Sequence, residues 1–197
     1  MIVTKVSGEL AEPTGGGWSG VDAESVSLDP VPLDSQPTEY IRTAWADREY
    51  GKVGEVKVST AHDGRRAYVR LEWADSDAPD TEFADAAAVF FPAEEQGAPA
   101  ETLGSEDQAV NLWLWQADRE ARDLTSTGPG RFRLRGTDEV SASAERDGGR
   151  WSVVLSRGLD DVRNGGKLGV AVWDGSNEER AGIGSVSTEW IPLEIEG

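Results

Sequence analysis

Two stretches, AAAVFFP at 86–92 and NLWLW at 111–115, are apolar on both sides of a period-2 ladder, and this narrows the fold more than any other feature of the chain. Alternate side chains of a strand point to opposite faces, so Asn111, Trp113 and Trp115 share one side while Leu112 and Leu114 share the other. Phe90 and Phe91 likewise point apart. A strand that is apolar on both faces is central and covered above and below. Pro92 has no N–H to give a ladder and closes the first stretch. The 17 residues from Ala93 to Ala109 are too many for a hairpin turn, and connections of that length in compact domains are usually functional or disordered. This is the expected site-bearing loop.

The segment EVKVSTAHDGRRAYVRLEW alternates on both sides of Asp63-Gly64, with Val56, Val58 and Thr60 in phase with Ala67, Val69, Leu71 and Trp73 on the return. Asp-Gly between alternating strands predicts a type I′ hairpin. A second hairpin is expected around Asp147-Gly148-Gly149, and further strands at Ile2–Val6, Tyr40–Trp45, LGVAVWDG and SVSTEWIPLEI. Residues 1–40, rich in Gly and Pro, read as a loosely structured segment with short edge strands. No window of 11 or more residues keeps a 3.6 period; Gln116–Asp123 comes nearest but is short and charged. The expectation is an all-β chain, a two-sheet antiparallel β-sandwich with long loops, forming a single domain over residues 1–197.

Composition removes several chemistries. There is no Cys, so disulfides, zinc fingers, iron–sulfur ligation and thiol catalysis are excluded, and His62 is the only histidine. Asp and Glu total 37 against 19 Lys and Arg, a net charge of −18. Such a surface repels phosphate backbones and anionic lipids, so nucleic acid is not an expected partner. Acid-rich, Lys-poor composition suits a protein of a salt-loving source, where a Debye length of about 3 Å mutes carboxylate repulsion. No apolar run approaches the roughly 18 residues of a membrane span, and MIVTKVSGEL shows no signal-peptide pattern. The expectation is a soluble chain with no direct membrane insertion, extracytoplasmic only if exported with a signal-bearing partner.

Eight Trp outnumber Phe and Tyr together. Trp couples a large flat apolar surface to an N–H donor, which serves a cofactor wall, a sugar-stacking platform, an interface anchor or a sandwich core. Trp113 and Trp115, beside the long loop, are the two assigned to a pocket wall, while Trp73, Trp151 and Trp173 read as core. Asp75, Asp77 and Asp80 in WADSDAPD place carboxylates at close spacing, a possible calcium site without the Gly and distal Glu of an EF-hand, or a solvated turn. His62, next to a turn, reads as a partly exposed strand-end residue that could ligate a metal or act as a base.

The ordered series LEWADSD, FADAAAVFFP, ETLGSEDQAVNLWLWQAD, RWSVVLSRGL, GVAVWDG and GSVSTEW resembles the haem-b-binding γ subunits of ethylbenzene dehydrogenase, dimethylsulfide dehydrogenase, selenate reductase and chlorate reductase complexes, and is similar to a small subunit that accompanies some archaeal nitrate reductases. The resemblance runs from about Leu71 to the C-terminus and more loosely back to Trp18. It implies a β-sandwich holding haem b between its sheets, docked on the iron–sulfur and molybdenum catalytic subunits of a respiratory complex. It also implies a Met and a Lys as axial ligands, at the positions that Leu103 in ETLG and Gly184 in GIGSVS occupy in this sequence. Neither residue offers iron a lone pair. The substitutes the sequence offers are His62 and Lys167, both expected at strand ends.

The function expected from these residues is a non-catalytic accessory subunit of a respiratory molybdenum oxidoreductase, nitrate reductase in particular, with no cofactor favoured and a docking role. The alternatives are a haem b electron-transfer subunit with substitute ligands and a carbohydrate-binding sandwich module. If the haem space is lost, Leu103 should face the core and Trp side chains should fill the volume, since an empty cavity costs about 24 cal/mol per Å³.

Overall fold

Alternating patterning resolves into two face-to-face sheets. The computed structural model describes residues 1–75, 83–94, 97–135 and 140–197. Its strands are β1 (Ile2–Lys5), β2 (Ala23–Ser27), β3 (Asp29–Pro30), β4 (Glu55–His62), β5 (Arg66–Ala74), β6 (Ala86–Pro92), β7 (Val110–Gln116), β8 (Arg119–Ser126), β9 (Phe132–Leu134), β10 (Ser141–Asp147), β11 (Arg150–Gly158), β12 (Lys167–Trp173), β13 (Ser185–Val186), β14 (Ile191–Pro192) and β15 (Glu194–Ile195). The first sheet runs β10-β11-β5-β4-β1-β15, with β2 also on β4; the second runs β3-β13-β12-β6-β7-β8-β9, with β14 also on β12. Pairing is antiparallel except for β1, which runs parallel to both β4 and β15.

The doubly apolar strands lie at the centre of the second sheet, as their patterning requires. Trp113, Trp115, Phe91 and Val89 face the first sheet and join Val58, Leu71, Trp73, Val153 and Leu155 in the inter-sheet core. Phe90, Leu112 and Leu114 face the other way, into a second core covered by loops that contains Leu103 and Trp173. A third cluster lies where the N-terminal segment, through Leu10, Trp18 and Val21, packs on Ala61, Tyr68 and Val154 of the first sheet. Within residues 1–40, β1 is flanked on both sides, and β2 makes a five-residue ladder with β4.

Two local readings are corrected, the strand at Tyr40–Trp45 and the type I′ turn at Asp63-Gly64. Tyr40–Trp45 is part of helix α1 (Glu39–Trp45), because the Thr38 hydroxyl accepts the Ile41 N–H at its N-terminus and outweighs the strand-forming Tyr, Ile and Trp. A second helix, α2 (Asp160–Gly165), closes one end of the sandwich. Gln116–Asp123, nearest to helical in sequence, is the β7–β8 hairpin. The turn after His62 carries a positive φ at Gly64 alone, as in a type II′ turn, and Asp63 precedes it, accepting the Arg65 and Arg66 N–H groups at 2.8 Å each. The second hairpin does have two positive-φ residues, Gly148 and Gly149.

Candidate functional site

Leu103 and Gly184, the two positions at which the resemblance implied axial ligands, lie outside the inter-sheet core. The long loop makes a 3₁₀ turn at Ala100–Thr102 and then enters the left-handed region at Leu103, φ 52° and ψ 34°. That conformation is costly for a branched residue and is held by several contacts. The Leu103 N–H donates to the Ala100 carbonyl at 3.0 Å, and its carbonyl accepts the buried Ser126 hydroxyl of β8 at 2.6 Å. Gly104, at φ 96°, lies so close to the Ser126 carbonyl that a Cβ would stand 2.6 Å from it. The Leu103 side chain is fully buried in the outer core.

Gly184 precedes β13 and is closed in by Trp173. A Cβ there would lie 2.5 Å from Trp173 Cδ1, 2.8 Å from Nε1 and 2.9 Å from the Val172 carbonyl. The indole is fixed by donating to the Ala181 carbonyl at 3.1 Å, and the Gly184 carbonyl accepts the Val31 N–H at 2.9 Å. A longer side chain at 184 could enter only if Trp173 moved. Neither position supplies a donor atom, and one has no room for a donor side chain, so these residues do not fit an axially ligated haem b.

The other predicted residues do not converge on this face. Trp113 and Trp115 point to the inter-sheet core, across the sheet from Leu103, and do not wall the same space. The space between the sheets, where the resemblance implied haem, is filled by aromatic side chains: Trp115 and Trp151 meet edge-on at 4.8 Å, and Phe91 and Trp113 lie 4.8 Å apart. His62 is buried at 4% exposure, not partly exposed, because the C-terminal segment covers it. Its Nε2 bonds the Glu196 carbonyl at 2.9 Å and its Nδ1 accepts the Gly64 N–H at 3.2 Å, so both ring nitrogens are engaged. Lys167 opens β12, and its ammonium sits 5.2 Å from the centre of the Trp190 ring. Of the suggested calcium ligands, Asp77 and Asp80 lie outside the described residues. Asp75 accepts Trp151 Nε1 at 2.9 Å and pairs with Arg146 at 3.3 Å.

Beside Trp173 the outer face opens into a cleft of about 190 Å³, lined by Leu114, Phe132 and Trp173 together with the charged Arg122, Glu179 and Arg180. Trp173 and Phe132 meet edge-on at 6.4 Å. Arg122 donates to Gln116, while its buried Nε has no partner among the described residues; burial, then the neighbouring Arg119, pull its pKa down. Sequence reasoning missed this cleft. Arg122 and Phe132 are on strands whose charge hides the alternation, and Arg180 is in a loop.

Sequence comparison adds a family. The chain matches the ethylbenzene dehydrogenase family over residues 16–139. It is 34% identical over 193 residues to "Putative respiratory nitrate reductase heme subunit ORF7" of Haloferax mediterranei, covering 91% of this chain and 66% of that one. It is 30% identical over 206 residues to chlorate reductase subunit gamma of Ideonella dechloratans, covering 98% and 82%, and 28% identical over 157 residues to dimethylsulfide dehydrogenase subunit gamma of Rhodovulum sulfidophilum, covering 70% and 59%. With more than half of its length matched, this chain belongs to the ethylbenzene dehydrogenase family.

Proposed function

We propose that this chain is a non-catalytic accessory subunit of a respiratory molybdenum oxidoreductase, with nitrate reductase as host, and that it serves by docking on the iron–sulfur and molybdenum subunits rather than by carrying haem b. The relatives named as a nitrate reductase heme subunit and as gamma subunits of chlorate reductase and dimethylsulfide dehydrogenase support the accessory role. The observation that carries the docking reading is the pair Leu103 and Gly184, which leaves both expected ligand positions without a lone pair and the second closed by Trp173. Among the described residues no helix is long and apolar enough to cross a membrane.

Haem b held by substitute ligands is the second reading. It would require His62 to give up a hydrogen bond and Lys167 to leave Trp190, and these two residues sit on different sheets. A sugar platform finds little support: six of the eight Trp are at most 7% exposed, and Trp151 and Trp190 are half-buried with their N–H groups bonded. The test is purification of the complex from its native source, followed by absorption spectra of the separated subunits. Co-purification with molybdenum- and iron-bearing chains, and no Soret band on this one, is the expected result. A Soret band travelling with this chain would defeat the docking-only reading, and isolation as a lone monomer would defeat the accessory role.

A further inference from the structure

Strand register sets a small side chain between large ones on the outer face of the second sheet. Trp173 of β12 stands opposite Ala86 of β6, and Ala86 opposite Gln116 of β7, so these three side chains share that face. In the adjoining row Leu114 stands opposite Arg122 of β8. Ala86 leaves a dip beside Leu114, flanked by Trp173, Gln116 and Arg122, and this dip is the base of the cleft. Phe132 closes it from the far side. In the order β12-β6-β7-β8-β9 the first and last strands of a flat sheet would stand about 19 Å apart, yet the Phe132 and Trp173 ring centres are 6.4 Å apart. Both rings lean inward over the floor.

The hydrogen-bonding capacity inside the cleft is one-sided. Arg122 donates to the Gln116 side-chain oxygen, while its Nε, shut off from water, has no acceptor among the described residues. The Gln116 amide nitrogen has no acceptor among them either. Buried donors are nearly always paired in native proteins, so an unmet one calls for a reason. Glu179, the acid of the lining, does not supply the acceptor: its carboxylate takes the Lys52 and Asp174 N–H groups at 3.1 Å each and Asn177 Nδ2 at 3.0 Å. Arg180 is turned to the Glu178 carbonyl and stacks 4.0 Å over Phe83. The lining thus offers unmet donors, and the opposite charges of Arg122 and Glu179 within one wall favour an oxygen that carries no full charge.

We infer that the cleft binds a small neutral aromatic carbonyl compound, its ring over Ala86 between Trp173 and Phe132 and its oxygen accepting from Arg122 Nε and the Gln116 amide. Size agrees with a single ring: the cleft holds about 190 Å³, and an apolar cavity of about 150 Å³ takes up benzene. Chemistry agrees as well, since ligand sites are walled mainly by apolar and aromatic side chains with a few placed polar groups. The site lies within this one chain and does not rest on the accessory-subunit reading.

Titration of the full chain with benzamide, followed by ligand-observed nuclear magnetic resonance, tests the assignment. Saturable binding is expected, about threefold or more tighter than that of cyclohexanecarboxamide, which keeps the carbonyl and lacks the flat ring. Ala86→Leu fills the dip and should abolish binding with an unchanged far-ultraviolet dichroism spectrum. Arg122→Lys keeps the charge without the Nε donor and should weaken binding by about tenfold, which carries the test if Ala86→Leu does not fold. Absence of saturable benzamide binding to the unaltered chain, or undiminished binding to Arg122→Lys, overturns the proposal. Equal binding of cyclohexanecarboxamide overturns the aromatic assignment, and tighter binding of benzoate than of benzamide overturns the neutral one.

Discussion

Trp113 Nε1 donates to Asp161 Oδ2 at 2.8 Å, and this bond ties the central strand of the second sheet to helix α2 at the end of the sandwich. Asp161 also accepts from Asn111 at 3.1 Å and pairs with Arg135 and with Arg157 at 3.1 Å, while Arg157 reaches Asp123 at 3.0 Å. A largely buried set of two carboxylates and two guanidinium groups thus bridges β7, β8, β11 and the residue after β9. Burial alone would push the Asp161 carboxyl up, but the hydrogen bonds from Arg135 and Trp113 and the two guanidinium charges outweigh it and hold its pKa below the usual aspartate value. Removing one partner of a buried pair strands the other. Asp161→Ala is expected to lose about 3–5 kcal/mol in urea unfolding.

The same residue sets an acid limit. A carboxyl whose folded pKa is depressed contributes stability above its unfolded value of about 3.9, and loses it as pH falls through the folded value. The unaltered chain should therefore destabilise steeply in acid, whereas Asp161→Asn, already weakened at neutral pH, should show a shallower loss below about pH 4. Midpoints of urea unfolding measured from pH 2 to 7 check this, and parallel curves for the two proteins would contradict it.

Asp85 titrates with the opposite sign. Trp151 Nε1 bonds both Asp75 Oδ2 at 2.9 Å and Asp85 Oδ2 at 3.0 Å, bringing two carboxyls together. Burial first, and then Asp75, raise the Asp85 pKa, despite hydrogen bonds from Gly175 and Trp151. An acid with a raised folded pKa contributes its stability below the unfolded value and loses it as pH rises through the folded one. Asn at 85 can accept the Gly175 N–H and donate toward Asp75, leaving Trp151 Nε1 to Asp75 alone. Asp85→Asn should match or exceed the unaltered chain in thermal stability at pH 7, with the two converging as pH falls toward the ordinary aspartate range. A lower midpoint for the variant at pH 7 would count against the raised Asp85 pKa.

What could be read in advance divides by the range of the interaction. Strand alternation is a property of neighbours, so the split of Trp113 and Trp115 from Leu112 and Leu114 and the hairpin around Gly148-Gly149 were legible directly. Helix α1 was not, because a seven-residue helix has no room for a period and its start depends on one Thr38 contact. The Asp161 cluster joins residues up to 50 positions apart, and nothing local marks Arg135 as its partner. Burial of His62 follows from a C-terminal segment that crosses it only in the fold. Leu103 and Gly184 were singled out by resemblance, while the closure of Gly184 by Trp173 is a matter of packing.

The left-handed turn at Leu103 depends on Ser126. The Ser126 hydroxyl is buried and donates to the Leu103 carbonyl at 2.6 Å. Ser126→Ala leaves that carbonyl unpaired, at a cost of about 1–3 kcal/mol. Leu103→Met, which keeps volume and conformation, should cost less than about 1.5 kcal/mol. Chemical denaturation of both variants checks the order. A larger loss for Leu103→Met would mean that the side-chain fit, rather than the Ser126 bond, holds the turn.

Gly184 gives the sharpest test of the closed site. A methyl group there would meet Trp173 at 2.5 Å, so Gly184→Ala should lose about 1–3 kcal/mol as the indole is displaced and its bond to Ala181 is strained. Restoring donors by Leu103→Met with Gly184→Lys should yield a destabilised protein without a Soret band when it is mixed with haem, because Trp173 keeps the lysine out. Adding Trp173→Ala opens the space and should allow haem absorption to appear. A Soret band in the double variant, with Trp173 intact, would show that the indole yields and that only the missing donors keep haem away.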